Sequence, residues 1–303
     1  MRGFIGLTKR NLLLFFKDVQ TVIFSLLTSI IVFTLYLLFL KGTYIDSIES
    51  AMKGLESLVD SADIDMLVNG ILLTGIMGSA LITVPYNCLT VIVKDRENKI
   101  DCDIAATPMR RGQIVLSYFV AAAVSAIVMA SVILTIGLLV LKSMGDPCLT
   151  GEAVASLYGL IVLGAISSTA FFIILVLFCK TVSASGAFFG ILSAASGFVI
   201  GAYMPISQFS DTVQTVCNLF PATHITVLIR NHLMSGVLDR IDESIGGIDQ
   251  GAFADAMRET FVFKSYMFEE ALSKQQSILY VSAAIVICIA VMIVVYSKVY
   301  KRK

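Results

Sequence analysis

The chain has 303 residues, 57% hydrophobic and 15% charged, with equal numbers of basic and acidic side chains and a mean hydropathy of +0.88. A soluble domain carries about a quarter charged residues, so an ordinary water-soluble fold is excluded, and no nucleic-acid partner is expected. The apolar excess is gathered into blocks long enough, at about 18 residues or more, to be membrane-spanning helices.

Residues 1–18 come first and read as an interfacial helix. Arg2, Lys9, Arg10 and Lys17 share one arc, Phe4, Ile5, Leu7, Leu12, Leu14, Phe15 and Phe16 fill most of the rest, and Asp18 follows. Such a helix lies at a membrane surface. Six apolar blocks follow at 19–40, 70–93, 113–141, 153–179, 183–204 and 276–297. The first is too long for a signal-peptide core and lacks a small-residue exit, so it reads as a retained span. The expected fold is an all-α polytopic membrane protein with six transmembrane helices, a single transmembrane domain over 1–303.

Span 1 is expected to end at Lys41. The loop 42–69 is acidic (Asp46, Glu49, Glu56, Asp60, Asp63, Asp65), with apolar residues at helical spacing that suggest a short external helix. Span 2 is the most polar, with Thr74, Ser79, Thr83, Asn87 and Thr90. Its Pro85 removes a backbone donor and favours a kink.

Residues 94–111 then place nine charges between two apolar flanks. A short helix is expected over 96–106, with Ile100 and Ile104 one turn apart. Thr107-Pro108 stops it, because a residue before proline avoids helical angles. Thr107 is then expected to cap the next helix with Pro108 at its first position, and Arg110 and Arg111 to reach lipid headgroups. The product is a charged knob pinned between spans 2 and 3, either pushed by a soluble partner or solvated with none.

Spans 3 and 4 are joined by a turn around GDPC (145–148), spans 4 and 5 by a few residues near Lys180. Span 5 carries Gly186, Gly190, Ser193, Gly197 and Gly201, whose steps of three and four share a face. That face serves either packing within the chain or a sliding, dimer-facing contact. Residues 205–236, interrupted at Pro205 and Pro221, read as two short helices dipping into the outer leaflet, neither long enough to cross a core of about 30 Å. A polar stretch (237–275) follows, with Gly246-Gly247 as a flexible point and AFADAMRETFVFKSYMFEEAL as an external amphipathic helix. The tail KVYKRK is a basic stop.

With a cytoplasmic N-terminus, segments 1–18, 94–112, 180–182 and 298–303 hold fourteen basic and five acidic residues, leaving eight basic and seventeen acidic ones outside. The positive-inside rule therefore places both termini in the cytoplasm, at the plasma membrane. The six cysteines follow no metal or redox spacing; Cys148 and Cys217 both fall outside, so a bridge between them stays open. His224 and His232 also fall outside, without companions. No acid or base lies mid-span, which disfavours ion-coupled secondary transport, and no paired His and Glu point to an intramembrane enzyme.

Three pieces together resemble the permease subunit of an ATP-binding-cassette exporter, of the type-2 permease family. TKRNLLLFFKD resembles that family's surface helix. KDRENKIDCDIAATPMRR is similar to its first cytoplasmic loop, with Glu97, Thr107, Pro108, Arg110 and Arg111 at matching places and Ile100-Asp101 where the family often has glycine-threonine. GAYMPISQFSDTVQTVCNLFPATHITVLIR resembles its glycine, proline, phenylalanine-proline-x-threonine-histidine, arginine pattern.

The resemblance implies a coupling helix docking on a separate ATPase through Arg96, Glu97, Ile100, Asp101, Ile104, Thr107, Pro108, Arg110 and Arg111. It implies an interfacial helix marked by Lys9, Arg10, Lys17 and Asp18. It implies a path at a dimer interface lined by Thr74, Met77, Leu81 and Pro85 of span 2 and Gly186, Gly190, Ser193, Gly197 and Gly201 of span 5. The outer gate would hold Pro205, Phe220, Pro221, Thr223 and His224. No G-x-x-x-x-G-K-[ST] phosphate loop is present, so ATP and magnesium are expected on a partner ATPase and no cofactor or catalysis in this chain. A second permease copy or a paralogue completes the assembly in the bilayer. The expected function is ATP-driven export of an amphipathic or hydrophobic cargo (drug, peptide or lipid-like) by alternating access. The alternatives are a sensor permease without cargo flux and a secondary transporter.

Overall fold

The computed structural model describes residues 2–52, 58–246, 249, 251–261, 263, 265–267 and 270–299. Glu56, Gly247 and the end of the basic tail (300–303) lie outside them.

The apolar blocks become helices because a backbone in hydrocarbon must satisfy its own hydrogen bonds. In chain order these are α1 (Arg2–Lys17), α2 (Val19–Leu35), a π-helical turn (Tyr36–Leu40), α3 (Lys41–Ala51), α4 (Ser61–Glu97), α5 (Ile100–Ala106), α6 (Arg111–Met144), α7 (Gly151–Val176) and α8 (Val182–Val199). After a 3-10 turn (Ile206–Gln208) come α9 (Asp211–Asn218), α10 (Pro221–Ile245), α11 (Ala252–Thr260), a hairpin of β1 (Ser265–Met267) and β2 (Glu270–Leu272), and α12 (Lys274–Val299). Among the described residues, six helical stretches are long and apolar enough to cross a membrane: α2 running on into α3, then α4, α6, α7, α8 and α12.

Span 1 does not stop at Lys41. Its helix runs on through the π turn into α3, where Tyr44 and Ile48 stay buried and keep the apolar repeat going. The Tyr36 hydroxyl donates to the Val68 carbonyl at 2.6 Å, fastening the π turn to α4. Pro85 does not break α4, a continuous helix of 37 residues, ~55 Å long. α4 is the axis of the molecule and packs against α2, α6, α7, α8 and α10.

Span 5 is shorter than its apolar block. α8 ends at Val199, and Gly201 adopts a left-handed φ of 68° beyond it, a conformation in which glycine carries no Cβ penalty. Gly201 therefore belongs to the turn and not to the helical stripe.

The region after α8 also departs from expectation. α9 is short, but α10 has 25 residues, and the two meet at 91°. α10 runs antiparallel to α4, with Thr226 over Gly78, Met234 over Gly70, and Arg240 paired with Asp63. Continuing that register puts Pro221 beside Thr83, about 14 residues and ~21 Å short of the other end of α4. The bend is thus re-entrant, and α10 climbs back out farther than residue 236 because Leu233, Val237, Leu238, Ile241 and Ile245 keep an apolar face buried. Only the first half of the expected external helix forms, as α11; the second half turns back as the β1–β2 hairpin. Cys148 and Cys217 are both free, so the open bridge is not made.

Candidate functional site

The charge-rich segment lies at one end of the bundle. α4 stops at Glu97, Lys99 takes a left-handed φ of 60°, and α5 leaves in a new direction. Ile104 is half-buried against the core, while Cys102, Asp103, Ala105, Ala106, Thr107 and Pro108 are exposed. Ile100 and Asp101 are half-buried. Thr107 does not cap the next helix: extended before Pro108, it turns its hydroxyl back to the Ile104 carbonyl at 2.6 Å. Arg110 takes the capping position instead, its amide donating to Gln113 Oε1 at 3.1 Å. Arg111 donates to the Ser297 carbonyl at 2.9 Å, tying α6 to the end of α12 rather than only reaching outward.

Arg96, half-buried, and Glu97, exposed, both bond the turn between α7 and α8. Arg96 donates to the Leu177 and Cys179 carbonyls, both at 3.3 Å, at the C-terminal end of α7. Glu97 accepts from the Val182 amide at 2.8 Å, at the first turn of α8. A cation at a helix C-terminus and an anion at an N-terminus are the favourable pairings with helix dipoles. The end of α4 is thereby clamped to the α7–α8 turn.

One element of this end escaped the sequence reading. Asp95 is only 3% exposed, yet it accepts two bonds from Arg10 (2.6 and 2.7 Å) and one from the Tyr118 hydroxyl. A buried carboxylate needs such partners, and its bidentate bonding holds Arg10 above the usual guanidinium range. This joins α1, α4 and α6. Nearby, Asp18 caps α2 through Thr21 and pairs with Lys94 at 2.9 Å; bonding to Lys94 and Thr21 lowers its carboxyl to about 2. Lys9 and Lys17 are exposed. An acid just inside the end of an apolar span was the available signal for Asp95.

The expected path residues divide. Thr74, Met77, Leu81 and Pro85 are enclosed by neighbouring helices, since α4 is surrounded. Gly186 and Gly190 have nothing near where a Cβ would stand, whereas Gly197 lies under the Tyr203 ring. Ser193 bonds Thr28 across to α2, Ser29 and Ser79 meet at 3.2 Å, and Thr83 donates to the Ser25 carbonyl at 3.2 Å. A hydroxyl seam therefore runs among α2, α4 and α8.

At the re-entrant bend the Phe-Pro-x-Thr-His run has a local task. Pro221 starts α10 where its missing donor costs nothing. The carbonyls left over at the end of α9 are then met by side chains: Thr223 donates to Cys217 O at 2.8 Å, the His224 ring to Asn218 O at 2.7 Å, and Tyr280 of α12 to Leu219 O at 3.0 Å. Phe220 packs against Phe171 with the rings tilted at 58°, and Pro205, buried, precedes the 3-10 turn. His224 is thus buried against Tyr280, not exposed and alone. α10 also brings an arginine inside, which a survey of the six spans overlooked: Arg230, 2% exposed, donates to the Phe261 carbonyl, and Asn231 donates to that of Phe263 at 2.6 Å.

Among the described residues no group of three or more His, Cys, Asp or Glu could hold a metal ion. The family model described as ABC-2 family transporter protein matches residues 54–297. No curated protein matches the chain.

Proposed function

The chain belongs to the ABC-2 transporter family and is a multi-pass membrane subunit of an ABC transporter, and we propose that it exports an amphipathic or hydrophobic cargo using force delivered to α5 by a separate ATPase. The carrying observation is mechanical. α5 stands on the end of the central helix, and the adjoining Arg96 and Glu97 clamp that end to α7 and α8. A push on α5 thus reaches α4 and α8 together. In this reading ATP and magnesium reside on the ATPase, the α5 end faces the cytoplasm of a plasma-membrane protein, and the re-entrant bend at Pro221 is the outer gate.

Docking on the ATPase falls to the exposed side of α5 and to Thr107, Pro108 and Arg110; Arg96, Glu97 and Arg111 transmit through their bonds to neighbouring helices. The open face of α8 at Gly186 and Gly190 receives the second permease copy or a paralogue, and the path runs along that face. Enclosed α4, with Thr74, Met77, Leu81 and Pro85, moves as a transmitter. The hydrocarbon-exposed surfaces and hydroxyl seam favour a cargo with apolar bulk and little charge.

The test is reconstitution of the chain with its ATPase in vesicles. Vanadate-sensitive movement of an apolar dye or peptide is expected. ATP hydrolysis with no flux of any amphipathic probe would replace export with a sensor role. Asp103→Lys, on the exposed side of α5, is expected to weaken recovery of the ATPase in a pull-down while Glu97→Gln leaves recovery intact and lowers flux per ATP.

A further inference from the structure

The cavity between α1 and the end of α4 has no part in the coupling just described. It encloses about 400 Å³ where α1, α2, α4 and α5 meet. Arg10, Lys17 and Lys94 line it together with Asp18 and Asp95. Both carboxylates are engaged: Asp95 by Arg10 and Tyr118, Asp18 by Lys94 and Thr21. The Thr90 hydroxyl and Asn98 amide bond their own helix, to the Asn87 and Lys94 carbonyls. The surplus charge is that of Lys17, which makes no ion pair among the described residues. Leu14, Val91 and Ile100 supply an apolar wall beside it. The exposed apolar side chains Leu13, Leu14 and Phe16 continue that surface along α1.

A surplus cation above an apolar wall, where an amphipathic helix meets the first span, complements an amphiphile with an anionic head. A free anion would gain only the charge, and a zwitterionic lipid would lose most of it. We propose that this cavity binds an anionic phospholipid, its phosphate on Lys17 and its upper chain against Leu14 and Val91. The bound lipid touches α1, α4 and the first residue of α5, so it braces the junction of α4 and α5. The inference does not depend on which cargo is moved or on whether any is.

The full-length protein in neutral detergent, titrated calorimetrically with short-chain phosphatidylglycerol, short-chain phosphatidylcholine and inorganic phosphate, provides the test. One saturable phosphatidylglycerol per chain is expected, with neither of the others matching it. Lys17→Gln weakens that binding about fivefold, the factor one interfacial cation contributes, and Leu14→Gln weakens it as well. Lys9→Gln, on the same helix but outside the cavity, leaves it unchanged. Phosphate binding as tightly as phosphatidylglycerol makes this a free-anion site and overturns the lipid assignment. Equal binding of phosphatidylcholine, equal loss in Lys9→Gln, or full binding in Lys17→Gln overturns the site.

Discussion

α4 and α8 are built from similar material, apolar side chains interspersed with glycine, serine and threonine, but they occupy opposite situations. The most apolar 18-residue stretch of α4 is 94% buried within the protein, that of α8 only 17%. At Gly78 of α4 an added Cβ would lie 2.8 Å from Ile200 and closer still to Thr226; at Gly190 of α8 it would meet nothing within 4 Å. Small residues therefore mean close approach in one place and an open surface in the other. The first serves folding of the chain, and the second leaves room for something beyond it.

The largest effect should come from filling these two sites. Gly78→Val, whose Cβ would press on Ile200 at 2.8 Å and on Thr226, is expected to cost about 3 kcal/mol, read as lowered thermal stability in detergent. Gly190→Val should change stability by less than about 0.5 kcal/mol while abolishing cross-linking between copies. Equal stability losses at the two positions would erase the contrast between enclosed and open helices.

Cutting the link between them comes next. Glu97→Ala removes the acceptor on the Val182 amide and is expected to cost about 1 kcal/mol. Hydrogen exchange at the start of α8 should rise while the middle of α4 stays protected. Unchanged exchange there would mean that the clamp transmits nothing. The hydroxyl seam contributes less: a double-mutant cycle on Thr28→Val and Ser193→Ala should give a coupling near 0.6 kcal/mol, read from unfolding midpoints, and zero coupling would remove the Thr28–Ser193 bond from what holds α8 to α2.

The smallest effect is a pH response at the base of α4. Because the folded-state carboxyl of Asp18 is lowered to about 2, its stabilisation is complete above the ordinary carboxylate range and is lost as pH falls through that range toward 2. Its side chain is 36% exposed, so solvent screens the pair with Lys94. Asp18→Asn should flatten only this acid portion of the stability profile, and an Asp18→Asn profile that still falls as steeply would remove the pair from the account.

Much of this organisation was legible in advance. The six spans, the basic amphipathic start and a short helix within 96–106, which begins only at Ile100, follow from apolar block length, helical arcs and a threonine-proline stop, all local signals. The failures were also local in origin. Thr107 looked like a cap because its neighbour is proline, but its hydroxyl had a nearer acceptor at Ile104. Lys41 looked like an end because it is charged at a block edge, yet burial of Tyr44 and Ile48 outweighs that cost. His224 looked external because it lies between spans, yet at the start of α10 it is buried against Tyr280, and Arg230, carrying no local signal, is buried on the same helix.

What the amino-acid order determined by itself is therefore the class of protein and the position of its hinge points, because hydrocarbon length and backbone hydrogen bonding act within a single segment. The tertiary structure alone decided which spans are enclosed, that Asp95 meets Arg10 and Tyr118, and that Glu97 accepts from the first amide of α8. Those outcomes depend on contacts between residues as many as 85 positions apart, where helix packing, not local pattern, selects the neighbour.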